Sequence, residues 1–197
     1  MFLYLSDIPM KHLVLYAFSV LVFISNAAEH QTKTEVVVSV QKVGDSFELK
    51  ASYAAPMDIC NAFAFITDYE DAKNIVGITE SKIISRADNK VIVQRKAKET
   101  IFLFPLEINT TIEYTELTTK GLNFEQIHGD NKTYKGTWRL EPEGGSTKFI
   151  YQSVVEPNSM VPKQVLEYFM KNIVKKRFEA MAARALLKAQ IPNPKCP

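Results

Sequence analysis

Residues 132–157, KTYKGTWRLEPEGGSTKFIYQSVVEP, read as two β-strands joined at Glu143-Gly144-Gly145-Ser146. Successive side chains of a strand alternate between its two faces, so Tyr134, Gly136, Trp138 and Leu140 share one face of the first arm. A glycine between two large aromatics leaves a gap there. Either another part of the chain or a bound molecule fills it, or Gly136 marks a bulge or sharp bend in a curved sheet.

Working backwards, residues 79–86, 90–98, 101–115 and 120–127 are further strand-like runs, punctuated by Ala87-Asp88-Asn89, Glu99-Thr100, Thr118-Thr119 and Gly129-Asp130-Asn131. Consecutive strands with short turns form an antiparallel meander. In the longest run Phe102, Phe104, Leu106, Ile108, Ile112 and Tyr114 occupy one face, and Glu107, Asn109, Thr111, Glu113 and Thr115 the other. One face is therefore buried and one wet. Upstream, EVVVSVQ (35–41) and FELKASY (47–53) flank the turn signal Val43-Gly44-Asp45-Ser46, as one hairpin or as a single strand with a leading piece. Ala55-Pro56-Met57-Asp58 opens a helix, with proline near its first position and Ile59, Phe63 and Ile66 on one face. Thr67-Asp68-Tyr69-Glu70 ends it and starts a second short helix through Asn74.

Downstream, a long helix spans 162–189, with Asn158 and Ser159 as candidate caps. Leu166, Phe169, Met170, Ile173, Phe178, Met181, Ala182 and Ala185 make its apolar stripe, and its alanine-rich second half permits close approach to a sheet. The basic residues Lys171, Lys175, Lys176, Arg177, Arg184 and Lys188 read as a solvated face, with a weak membrane-surface contact as the alternative.

The N-terminus differs from the rest. Lys11 precedes an apolar run from Leu13 to Ile24, shorter than the roughly 20 residues of a membrane span. Ser25-Asn26-Ala27 then offers small residues for cleavage, so residues 1–27 read as a cleavable secretory signal and 28–197 as a single domain, secreted or periplasmic. Met10-Lys11-His12 makes a more ordinary leader than the residues before it, which marks Met10 as an alternative start. Cleavage removes Asp7 and Lys11 and leaves the formal charge at +2, too near neutral to argue for a nucleic-acid partner. Cys60 and Cys196 remain. The preferred reading is a buried Cys60 and a free thiol on the tail, with a bridge tethering the C-terminus as the alternative.

The order of strand, two short helices, six-stranded meander and long helix, an α+β arrangement, resembles the helix-grip fold of the START and birch-pollen-allergen (SRPBCC) superfamily. Within it, the chain is most similar to the polyketide cyclase/dehydrase and coenzyme-Q-binding-like branch. The residues that carry the resemblance are Ala55-Pro56, Ile66-Thr67-Asp68-Tyr69-Glu70, Gly136-Thr137-Trp138-Arg139-Leu140, Thr147 to Tyr151, and Val155-Glu156-Pro157. The resemblance implies a curved antiparallel sheet wrapped around the C-terminal helix, with two short helices after the first strand and a cavity for a hydrophobic ligand.

Catalytic motifs are absent from the sequence. The three histidines, His12, His30 and His128, are scattered, the cysteines lack C-x-x-C spacing, and no G-x-S-x-G, P-loop or dinucleotide fingerprint occurs. Glu107, Glu113 and Glu116 read as solvated acids. No metal or cofactor and no catalytic residue is therefore expected. The expected partner is an apolar small molecule or lipid-like ligand bound by a monomer. Its candidate lining is Phe102, Phe104, Tyr114, Phe124, Tyr134, Gly136, Trp138, Tyr151 and Phe169, with Arg95, on the face of Val91 and Val93, as the one candidate charge. A cyclase or aromatase acting through cavity shape, and an interaction module using the basic helix, are the alternatives.

Overall fold

The computed structural model describes residues 35–101, 104–159, 161–194 and Cys196, apart from the side chains of Ile101 and Phe104. The signal expected over 1–27 lies outside the described residues.

Eight strands form one antiparallel sheet: β1 (Val37–Val43), β2 (Ser46–Ala55), β3 (Ile78–Ala87), β4 (Lys90–Ile101), β5 (Phe104–Leu117), β6 (Gly121–Gly129), β7 (Asn131–Glu143) and β8 (Ser146–Pro157). The spatial order is β1-β2-β8-β7-β6-β5-β4-β3, so β3 to β8 are a pure meander and β8 returns beside β2. The leading residues form the β1–β2 hairpin, and the two short helices follow the second strand rather than the first.

Helix α1 (Ile59–Thr67) starts later than its proline suggested. Asp58 is the N-cap, its carboxylate accepting the Asn61 N–H at 2.8 Å, which holds the carboxyl below the usual range. Pro56 stands two residues outside the helix. A short 3-10 helix, Glu70–Asn74, follows. Helix α2 (Lys163–Ala189) has Pro162 at its N-cap with no capping side chain. Ser159 instead accepts the Val161 N–H at 3.1 Å, and Asn158 likewise does not cap α2.

The core lies between one face of the sheet and α2. Phe47, Leu49, Ala51, Tyr53 and Ala55 of β2 alternate inward, as do Phe149, Tyr151 and Val155 of β8. From α2 come Leu166, Val174, Phe178, Ala182 and Ala185, spaced by about two turns and then by about one turn each, and therefore on one stripe. No described helix is long and apolar enough to cross a membrane.

The tail does not carry a free thiol. Cys196 forms a disulfide with Cys60 in the first turn of α1, closing a separation of 136 residues. Three of the basic residues of α2 are not simply solvated either. Arg177 donates to Val76 O and pairs with Glu99, Arg184 pairs with Asp71, and Lys188 lies 3.9 Å from Asp68. These contacts hold α2 against the 3-10 segment and β4.

Candidate functional site: the aromatic interior

Pairing register places Gly136 opposite Phe124 on β6 and Ser153 on β8, with no bulge at the glycine. A Cβ at position 136 would lie 2.7 Å from Phe124 Cζ, 2.8 Å from Ser153 Cβ and 2.2 Å from Gln152 O. The gap between Tyr134 and Trp138 is thus closed from within the chain, by the Phe124 ring and by the backbone of β8. Gly136 permits close approach rather than a bend.

Around it the rings form a continuous layer. Tyr69 meets Tyr114 at 4.6 Å between centroids, Tyr114 meets Phe124 at 6.0 Å, and Phe124 stacks on Tyr151 at 5.7 Å. Tyr151 and Trp138 meet edge to face at 4.9 Å, and both touch Phe178 of α2, at 5.1 and 5.8 Å. Such tilted and offset geometries suit the ring quadrupoles and add to the area buried. Tyr114, Phe124, Tyr134, Gly136, Trp138 and Tyr151 therefore come together on one inner surface. Phe169 is half-buried on α2 and packs against the same core. Phe102 lies outside the described residues, and Phe104 is described only by its backbone, at the start of β5 opposite Ile101.

Polar atoms on this surface are few. Tyr134 and Tyr151 bring their hydroxyls 3.3 Å apart. Burial pushes the Tyr151 phenol well above its ordinary pKa and the Tyr114 phenol up to about 12. Ser153 Oγ and Tyr53 Oη are buried with no hydrogen-bond partner. Arg95 is half-buried. It donates to Ser81 Oγ at 3.1 Å and lies over the Tyr114 ring at 5.3 Å.

Of the acids, Glu107 and Glu113 are on the outer face and pair with Lys98 and Lys90. Glu116 corrects the expectation of a solvated acid: its side chain is only 13% exposed, and it accepts from Tyr69 Oη at 3.0 Å and from Arg86. His128 is exposed on β6 near its end. Asp58 lies close to the disulfide sulfurs, but with both sulfurs bonded to each other they are not thiolate ligands for a metal.

Sequence reasoning missed Ser153, Tyr53 and Phe149 as members of the inner surface, and placed Phe178 on the apolar stripe of the helix without naming it as lining. Strand alternation was the available signal for the three strand residues, since Phe149, Tyr151 and Ser153 follow one another at spacing two on β8 and Tyr53 follows Ala51 on β2. Outside this interior, β1 and α2 enclose a groove of about 290 Å³ lined by Val38, Ser39, Val40, Lys171 and Lys175.

No curated protein sequence matches the chain. Among solved structures, the fold is similar to a STAR-related lipid transfer protein from Xanthomonas axonopodis, with a TM-score of 0.64, 12% identity and coverage of 78% of this chain and 98% of that one. Human STARD10 superposes with a TM-score of 0.61 and 17% identity over 81% of this chain and 75% of its own. The Zhui aromatase/cyclase from a Streptomyces species gives a TM-score of 0.59 and 9% identity over 71% of this chain and 93% of that one. At these identities the likeness is one of fold. The family model for polyketide cyclase / dehydrase and lipid transport matches residues 54–182, from the end of β2 well into α2, and the chain belongs to that family.

Proposed function

We propose that the protein binds an apolar small molecule or lipid-like ligand between the sheet and α2, as a secreted or periplasmic carrier without turnover. The observation that carries this reading is the inner surface itself. Tyr114, Phe124, Trp138 and Tyr151 converge there with very few polar atoms, and half-buried Leu106, Tyr134, Val165, Phe169 and Met170 border it. A mostly apolar surface with a few placed polar groups is what small-molecule sites present. The rings touch one another in this structure, so a ligand enters by displacing ring-to-ring contacts, and its affinity is reduced by that cost. The Cys60–Cys196 bridge supports an oxidising compartment, where such bonds persist, and with it the reading of residues 1–27 as an export signal.

The test is to express the full chain in a bacterium, fractionate the cells, and record native and denaturing masses of the purified protein before and after solvent extraction. The expected result is a periplasmic protein shortened by its first 27 residues that carries an extractable apolar molecule in a one-to-one complex. An empty protein that also fails to take up pyrene, quinones or phospholipids overturns the binding reading. An unshortened protein in the cytoplasm overturns the export reading separately. Turnover of a polyketide substrate, lost in Tyr151→Phe, would favour a cyclase instead.

A further inference from the structure

Ser153 and Gly136 are the two smallest residues of the inner surface where β7 and β8 pair, and they face each other. The rows on either side carry Tyr134 (opposite Val155) and Tyr151 (opposite Trp138). The two phenols reach across the small pair until their hydroxyls meet at 3.3 Å. Ser153 Oγ lies beside the Tyr151 phenol yet makes no hydrogen bond of good geometry, although the residue is 5% exposed. Three hydroxyls thus gather in an otherwise aromatic environment, one of them unpartnered. Tyr53 Oη, beside Trp138, is the other buried hydroxyl without a partner, whereas Gln126 and Asn131 on β6 and β7 are bonded through both ends of the Gln126 amide.

A buried hydroxyl without a partner is costly to leave that way, and a fold gains nothing from it unless something else completes it. Hydroxyls both donate and accept, which suits a hydroxyl or carbonyl oxygen. An ionised headgroup fits poorly. The cationic Arg95 is engaged with Ser81 and Tyr114, and a charge buried among phenyl rings without a counter-charge is strongly disfavoured. We infer that Ser153, Tyr151 and Tyr134 form the polar end of the ligand site and select an apolar, ring-bearing ligand with one uncharged oxygen function, a phenol, alcohol or ketone. This rests on the binding reading above. The preference for rings follows from the stacked Phe124–Tyr151 pair, between or against which a flat ligand gains the same contacts the rings now give each other.

Three fluorescent probes test it: pyrene, hydroxypyrene and pyrenecarboxylate, titrated against the wild-type protein and against Ser153→Ala and the double variant Ser153→Ala/Tyr151→Phe. The expected result is that hydroxypyrene binds about ten-fold more tightly than pyrene, the worth of one good hydrogen bond, and that pyrenecarboxylate binds no better than pyrene. The hydroxyl preference should shrink in Ser153→Ala and shrink further in the double variant, which leaves only the Tyr134 hydroxyl of the three, with the melting temperature of Ser153→Ala no lower than that of wild type. Pyrene binding without any hydroxyl preference, or a preference undiminished in the double variant, overturns the oxygen site alone. A preference for the carboxylate also overturns it and points to Arg95. Failure of all three probes to bind overturns the binding reading and this inference together.

Discussion

The two halves of α2 are built differently. From Val174 to Ala189 the helix presents Phe178, Ala182 and Ala185 to the sheet, the two alanines 2% and 0% exposed. Small side chains let the backbone come close, and Arg177 and Arg184 add ion pairs to Glu99 and Asp71. Beyond the end of α2, Cys196 is bonded to α1. From Lys163 to Ile173 the helix has no capping side chain, Leu166 is its only buried residue among those described, and Phe169 and Met170 are half-buried. Its ion pairs, Lys163–Asp45 and Lys171–Glu167, are on the surface, and Tyr168 is 67% exposed. One half is anchored by fixed partners. The other rests on adaptable apolar contacts, methionine among them, of the kind that can open for a ligand.

The sharpest way to break this comparison is to cut the anchor. Closing 136 residues constrains the unfolded chain, so reducing the bridge, or replacing both cysteines by serine, is expected to cost about 4 kcal/mol. The check is a melting curve with and without reductant, and an unchanged melting temperature would show that the tail adds nothing. Gly136→Ala comes next, at about 3 kcal/mol in urea unfolding. Its Cβ meets the backbone oxygen of Gln152 as well as Phe124, and a backbone atom cannot swing aside. An alanine there with wild-type stability would mean that the inner surface has more room than the rings suggest.

A smaller effect separates the halves directly. Arg177→Ala leaves Glu99, whose side chain is 9% exposed, without its cation, and about 2 kcal/mol is expected to be lost, well below the value for a fully buried pair because Arg177 is partly solvated. Lys171→Ala, on the exposed half, is expected to change stability by less than about 0.5 kcal/mol. Denaturant midpoints of the two variants decide the matter, and equal losses would remove the distinction. In amide exchange, the backbone of residues 163–173 is expected to lose protection before that of 174–189. The smallest shift is a gain: Ser153→Ala removes an unpaired buried hydroxyl and is expected to stabilise the ligand-free protein by up to about 1 kcal/mol. A loss would mean that the serine hydroxyl has a partner after all.

Much of the fold was legible in the sequence because the signals are local. Alternation along residues 106–115 and the glycine turn at Gly144-Gly145 depend on neighbours a few positions away, and β5, β7 and β8 formed with Ile112 and Tyr114, Trp138 and Leu140, and Phe149 and Tyr151 inward, although β4 continues through the expected turn at Glu99-Thr100 to Ile101. The inward face of Tyr114, Phe124, Trp138 and Tyr151 followed from the same rule of two. The start of α1 was less legible, since Pro56 and Asp58 both suit a helix N-terminus and only the bond from Asn61 N–H selects Asp58.

What only the tertiary structure decided concerns partners far apart in the chain. Nothing near Gly136 states that Phe124, from the neighbouring strand, closes its gap, or that Ser153 faces it with an unpaired hydroxyl. Arg177 and Lys175 look alike as helix-face cations until the packing of α2 brings Glu99 to one and leaves the other in solvent. Cys60 and Cys196 become a bond only because the fold brings the tail back to α1. Backbone propensity and side-chain period act over a few residues and so can be read along the chain. Contacts such as these depend on distances that exist only once the sheet has closed around its helix.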